Sequence, residues 1–432
     1  MTGILIIFGI TYILIATEKI ETNASVFLGV AAAVLFGYAD YGKMLQSIDV
    51  NVIYLLVGMM IIMGILAKTG VFEWLAIVMA QKAKGDGVRI MFLFLIATAF
   101  ISSVLDNVTT VILIAPVTIL VTQILEIPTA PLLILEAVFS NIGGTATLIG
   151  DPPNVVIGSR AGLSFNDFLF NMSPAIAVIM IISLAILYPL MRKQLYVPET
   201  IRKRVMAAFP EKAIIDAPCL KRSLPVLCAV LLGFLLGRLF HIEAGLVAIA
   251  GALTMAVICR VSLHQLMEKV DWLTIFFFMG LFMLVGALEQ NGVFEMLSGV
   301  VVAWSGGSLL VTCMVILWAG AIISAFVNNV PLVIAMIPLL DNMKPAFAQA
   351  QGITDPALIH SAIACPMYWA LALGVCLGGN GTLIGASANV VVSQIAQRNR
   401  CKLSFWDFTR YGFPLMIVSM LVSTAYLYLR YF

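Results

Sequence analysis

Four short polar runs interrupt otherwise apolar stretches of this chain, and they fall into two matched pairs. The first pair is Asp106-Asn107-Val108-Thr109-Thr110 and Asn328-Asn329-Val330-Pro331. The second runs from Gly143 to Asn154, ending in Gly150-Asp151-Pro152-Pro153-Asn154, and from Gly378 to Asn389, ending in Gly385-Ala386-Ser387-Ala388-Asn389. Glycine and proline break a helix and free backbone carbonyls and amides, which are costly to leave unpaired in an apolar medium and so require partners or ligands. Carbonyls together with Asn, Thr and Asp oxygens suit a hard cation of the sodium type, whereas open helix N-termini attract an anion. Candidate ligands in the first half of the chain are Asp106, Asn107, Thr109, Thr110, Gly144, Thr145, Thr147, Gly150, Asp151 and Asn154. In the second half they are Asn328, Asn329, Gly379, Asn380, Thr382, Gly385 and Asn389. A sodium ion is expected at Asp106, Asn107, Gly150 and Asp151, with sodium or a proton as coupling ion and no other cofactor.

Asp106 and Asp151 are the only acids in the four runs. A carboxylate within an apolar span marks an ion or proton pathway by default. The alternatives are that Asp106 caps the helix that follows it and Asp151 caps a helix beginning at Pro152; capping and ion binding are compatible. Asn107, Asn329, Asn154 and Asn389 occupy matched places and read as direct or nearby ligands. Glu136 sits in an apolar segment, where it pairs with a neighbouring helix or faces water. His241, His264 and His360 fall near segment ends, and the 22 methionines fill gaps between helices. The seven cysteines are scattered, with no CxxC pair, so neither a disulfide frame nor a metal centre is indicated.

The matched runs belong to a longer internal duplication. Residues 58–74 match 280–296 at an offset of 222, and 101–116 match 323–338 at the same offset. Residues 143–156 then match 378–391 at an offset of 235, with nine of fourteen positions identical, and Leu163 to Phe168 match Leu403 to Phe408 at 240. Chance similarity between apolar helices would not hold Gly, Pro, Asn and Asp in register. The chain therefore divides into a first repeat, 1–190, a polar linker, 191–222, and a second repeat, 223–432.

The elements that carry these runs must lie in a membrane. Of 432 residues, 62% are hydrophobic and 11% charged, which excludes an ordinary water-soluble surface. A formal net charge of +2 carries no signal for nucleic acid, and no such partner is expected; the partner is the lipid bilayer. Each half is read as five crossings, near 3–17, 25–38, 50–67, 130–160 and 170–190 in the first. The first segment lacks a basic leader or small-residue cleavage site and reads as a retained helix. The stretch 71–83 and its counterpart near 293–304 read as interfacial helices. The apolar arms 88–105 and 108–123 meet at a polar tip and read as a re-entrant hairpin sheltered by protein.

An odd number of crossings turns the second repeat upside down. With the linker in the cytoplasm, 19 of the 24 Lys and Arg lie inside and Lys43, Arg160, Arg238, Lys344 and Arg430 outside, in keeping with the positive-inside rule. Both termini and a loop at 341–356 are then expected outside. The fold class expected is an all-α integral membrane protein of two inverted five-helix repeats, each with a re-entrant hairpin and a broken helix. Broken helices at corresponding places in two inverted halves point to a transporter's binding site.

At these motifs the chain resembles the ion transporter superfamily, which includes arsenite-efflux permeases, sodium/proton antiporters, divalent-anion/sodium symporters and the pigmentation-related P protein. Asp106-Asn107-Val108-Thr109-Thr110 with Ala115-Pro116, and the run ending Gly150-Asp151-Pro152-Pro153-Asn154, look most like the arsenite permease and P protein branch. The resemblance implies a scaffold domain from the first three crossings of each half, a mobile transport domain carrying hairpins and broken helices, elevator movement, a homodimer, and a bacterial inner membrane. The divalent-anion members carry Ser-Asn-Thr at both tips, unlike this chain, and the second repeat has Ala386-Ser387-Ala388 in place of Asp-Pro-Pro, so its ion site is expected to be neutral or absent. The expected function is ion-coupled secondary transport of a small ion or anion; a sodium/proton antiporter and a passive anion channel are the alternatives. No HExxH, GxGD pair or GxSxG is present, and no enzymatic activity is expected.

Overall fold

The structure is a computed structural model that describes residues 2–17, 20–206 and 209–432. Lys19, one of the residues counted for charge, lies outside them. The described residues are helical throughout apart from turns and connections, and eight helices among them are long and apolar enough to cross a bilayer. Shorter apolar helices at Thr2–Ile15, Thr22–Leu35, Gly87–Ser102, Thr129–Gly144 and Ala244–Ile258 accompany them.

The helices sort into two packing groups. Thr2–Thr17, Thr22–Leu35, Val50–Ala67, Ala217–Phe240, Ala244–Ile258 and Trp272–Gln290 pack chiefly on one another. Their crossings are matched between the halves: a Cβ added to Gly58 would lie 2.5 Å from the Ala248 backbone, and one added to Gly280 would lie 2.5 Å from the Val26 side chain. Both pairs are related by the 222-residue offset. Glycine permits these backbones to approach closely, which replaces the absent hydrophobic drive between helices in lipid.

The second group holds two hairpins, Gly87–Ser102 with Asn107–Leu125 and Leu309–Ser324 with Asn329–Gln351, and two broken segments. The first broken segment is Thr129–Gly144 followed by Pro152–Ala161. The second is Cys365–Gly378, preceded by a π-helical turn at Ile359–Ala364 and followed by Ser387–Arg398. Thr129–Gly144 is buried continuously from Leu132 and Cys365–Gly378 from Pro366, so these two helices form the centre of the molecule. Ser173–Met191 and Phe405–Tyr431 close around them.

One detail differs from the sequence reading and two add to it. The loop expected at 341–356 is mostly helix, because Asn329–Gln351 runs past the apolar span and only 352–355 connect onward. There Asp341 accepts from the Tyr368 hydroxyl and pairs with Lys344, which ties the polar end of the helix down. The linker contains a helix at Glu199–Met206 and is docked: Ile215 N donates to Thr69 O at 2.9 Å, and Arg202 stands 3.1 Å from Asp86. The stretch Val293–Trp304 meets the hairpin arm Leu309–Ser324 at a bend of 114°.

Candidate functional site

Four helices begin at one place: Asn107–Leu125, Pro152–Ala161, Asn329–Gln351 and Ser387–Arg398. Asp106 caps the first, its Oδ2 accepting from Thr109 N at 2.9 Å, while the Thr110 hydroxyl donates to Asp106 O. Asn328 caps the third, accepting from Val330 N at 3.2 Å, and its Nδ2 donates to Ser387 Oγ at 3.1 Å. Asp151 stands at the cap position of the second but makes no capping bond. The cause is in the sequence. Pro152 and Pro153 carry no amide hydrogen, and Asn154 N donates to the Asp151 backbone carbonyl instead. The carboxylate is thereby released from its own helix.

It turns to both hairpin tips. Asn107 Nδ2 donates to Asp151 Oδ1 at 3.2 Å and Asn329 Nδ2 donates to the same oxygen at 3.4 Å. Asp151 is fully buried, and its Oδ2 has no hydrogen-bond partner among the described residues. From Asn107 a chain of amides continues inward: Asn107 donates to Asn141 Oδ1 at 3.1 Å, and Asn141 donates to Asn380 at 2.9 Å and to Asn389 at 3.0 Å. Side chains from both halves thus share one buried network.

The broken-helix carbonyls expected to wait for a ligand are largely met from within. Asn154 Nδ2 reaches the carbonyls of Gly144, Thr145 and Thr147, and Asn389 Nδ2 those of Gly379 and Thr382. The Thr147 hydroxyl donates to Ser103 O and the Thr382 hydroxyl to Ala325 O, bonds related by the repeat offsets. Ser102 to Ser140 O and Ser324 to Val375 O are likewise related, each 2.7 Å.

A cavity of about 420 Å³ opens onto the tips. Of the candidate residues, Asp106, Asn107, Thr109, Asp151, Asn328 and Asn329 line it. Thr110, Gly144, Thr145, Thr147, Gly150, Asn154, Gly379, Asn380, Thr382, Gly385 and Asn389 do not line it; the Thr110, Thr145, Thr147, Asn154, Thr382 and Asn389 side chains bond backbone carbonyls instead. Met59, Met60, Met63 and Phe277 supply an apolar wall, and Lys269, Asp271, Thr274 and Ser387 further polar groups. Asp106, Asn107 and Asp151 bring the oxygens that could hold a hard cation or a proton, Asp151 from a fully buried position behind the tip amides. Gly150 is not among them: it packs against Gly144 and the Ser102 carbonyl.

Asn141, Cys376, Ser102, Ser140, Ser324 and Lys269 belong to the site or its support and escape the sequence reading. A lone Asn in a helix buried on every side is the signal that would have found Asn141. Cys376, its counterpart by offset, donates to Asn154 Oδ1 at 3.4 Å.

Comparison with known proteins agrees with this architecture. A family profile described as "Citrate transporter" (CitMHS) matches residues 12–374. An uncharacterized transporter of Mycobacterium bovis is 41% identical over 430 residues, covering 99% of this chain and 97% of its own length. The P protein of Mus musculus is 30% identical, covering 96% of this chain and 58% of its own length. Among solved structures, the YdaH transporter of Alcanivorax borkumensis, reported to have an unusual topology, superposes with a TM-score of 0.59 over 91% of this chain and 87% of its own, at 15% identity. The fold is therefore that of a multi-pass membrane transporter, and the chain belongs to the citrate transporter family.

Proposed function

We propose that the chain is a secondary active transporter that carries a small anion through the tip cavity by alternating access, coupled to a proton or sodium ion at Asp151 with Asp106 beside it. The observation that supports it most is the Asp151 carboxylate, which takes amide donors from both hairpins on one oxygen and leaves the other buried and, among the described residues, unpartnered. A buried charge without a counter-charge is unfavourable, so a cation or proton is its natural partner. Four helix N-termini around the same cavity favour an anion next to it. The description of the family, a citrate transporter, supports a carboxylate substrate. The two packing groups suit movement of the hairpins and broken segments against the remaining helices.

The test is uptake of radiolabelled citrate by purified protein in liposomes with inward proton and sodium gradients imposed separately. Accumulation above the external concentration under one gradient is expected. Flux that stops at equal concentrations under either gradient would indicate a channel and overturn the coupled reading.

A further inference from the structure

The helix Pro152–Ala161 starts at the tip cavity and ends, at Arg160, against the other packing group. There Arg160 donates to the Ser47 carbonyl, its Nε stands 3.7 Å from Asp49 Oδ2, and its guanidinium lies 5.4 Å from the centre of the Phe282 ring. Two further contacts tie the groups nearby: Arg238 to Asp167 at 2.9 Å and Asn51 Nδ2 to Ser159 Oγ at 3.2 Å. None of the tip residues lines the small pocket around Arg160.

The repeat supplies a second copy of the receiving half of this clasp. By the 222-residue offset Ser47 and Asp49 correspond to Lys269 and Asp271, both lining the tip cavity. The local structure is the same. Asp49 and Asp271 each cap the following helix, accepting from Val52 N and Thr274 N at 3.2 Å. Gly286 packs on Ser47 as Gly64 packs on Lys269. Yet among the described residues no arginine pairs with Asp271.

The arginine half is present too. Ser387–Arg398, the counterpart of Pro152–Ala161, starts at the cavity and ends in Arg398, which is exposed and makes no ion pair among the described residues. The strict counterpart of Arg160 is Ile395; Arg398 lies three residues on, about one turn, and so on the same helix face.

We propose that Arg398 docks on Asp271 in the opposite state of the transporter as Arg160 docks on Asp49 in this one, which makes both arginines positioning residues for alternating access. This rests on the alternating-access reading above. Each clasp joins the two packing groups at one mouth, so movement that opens one mouth releases one clasp and forms the other. The exchange keeps the two end states close in energy while holding each shut on one side.

The test uses Met60→Cys, on the apolar wall of the tip cavity, as a reporter of how often that cavity is open. Labelling by a small polar maleimide is followed by mass spectrometry at residue 60 in purified protein. Arg160→Ala should slow labelling and Arg398→Ala should speed it, each by about two- to fivefold, the range of a partly exposed ion pair. Asp271→Arg combined with Arg398→Asp should bring the rate back toward that of the reporter alone. Variants that shift labelling in the same direction, or an Arg398→Ala rate equal to the reporter's, would overturn the clasp. The readout needs no flux. If the wild-type chain fails to concentrate citrate while the labelling pattern holds, the substrate or coupling assignment fails and the clasp stands.

Discussion

Asp151 and Asp106 differ in what their carboxylates are committed to. Asp106 spends one oxygen on capping, and asparagine performs that task at the equivalent Asn328. Asp106→Asn should therefore keep the fold and lose charge at the cavity alone. Asp151→Asn retains a carbonyl oxygen able to accept from Asn107 and Asn329, so it too should fold. In liposomes both variants should bind into the membrane as wild type yet lose dependence of citrate uptake on the ion gradient; unchanged gradient dependence in either would make that residue structural. A different carboxylate, Glu136, is 1% exposed and accepts from the Thr118 hydroxyl, with its second oxygen unpartnered among the described residues. The positions equivalent to Thr118 and Glu136 by the repeat offsets are Leu340 and Leu371, both fully buried. Thr118→Leu alone strands the buried acid and should destabilise by about 1–3 kcal/mol. Adding Glu136→Leu should recover most of that loss, as read by thermal unfolding in detergent. Recovery is not expected if Glu136 has a charged partner across the bundle. Residues of this kind explain what the sequence shows and hides. Asp106, Asn107 and Asn329 stand out because each interrupts an apolar run at a place where its repeat partner does so too, and Asp151 because it is an acid inside a matched glycine-rich run although its own counterpart is Ala386. Asn141, opposite Cys376, and Glu136, opposite Leu371, have no such echo; Asn141 bonds Asn380 and Asn389 from the other half of the chain, and Glu136 bonds Thr118 on the preceding helix.

At the scale of elements, the hairpins and broken segments are legible because glycine and proline mark where each helix stops. What the sequence does not show is where the freed carbonyls turn. Asn154 and Asn389 look like ligands by position, but each folds back onto the break it follows, so the chain satisfies its own backbone and leaves the cavity to carboxylates and hairpin amides. The hairpins seat on the broken segments through matched glycines. A Cβ at Gly143 would fall 2.0 Å from Ala99 O, and one at Gly378 would fall 2.5 Å from Ala321 Cα, at positions related by the offsets. Both obstructions are backbone and cannot rotate away. Gly143→Ala and Gly378→Ala should each destabilise by about 1–3 kcal/mol through overpacking. Gly299→Ala, on an exposed helix with nothing within 4 Å of the added carbon, should be neutral or stabilising by a few tenths of a kcal/mol. Melting midpoints of the three variants check this; equal midpoints for Gly143→Ala and Gly299→Ala would mean that the hairpin does not bear on the broken segment as tightly as the geometry requires.

For the whole molecule, the distribution of cations sets the expected orientation in the bilayer. The docked linker carries eight Lys or Arg within 191–222, and the tip cavity is lined by Lys269 and by Gly64 and Ala67, just before Lys68. The opposite mouth has Arg160, with Arg238 nearby, held to Asp49 and Asp167. Cytoplasmic segments retain excess Lys and Arg, because moving them across the membrane during insertion is unfavourable. The linker and the tip cavity are therefore expected on the cytoplasmic side, with Gly352 to Asp355 outside. Single cysteines at Glu211, in the linker, and at Thr354, in the short connection, are both exposed and test this directly. In intact cells a membrane-impermeant maleimide should label Thr354→Cys and spare Glu211→Cys, and in inverted membranes the pattern should reverse. Met60→Cys, inside the cavity, should follow Glu211→Cys rather than Thr354→Cys. Labelling of Glu211→Cys and Thr354→Cys from the same side would overturn the expected topology, because the three crossings between them, Ala217–Phe240, Ala244–Ile258 and Trp272–Gln290, followed by a hairpin that returns to the face it entered from, put the linker and the 352–355 connection on opposite faces.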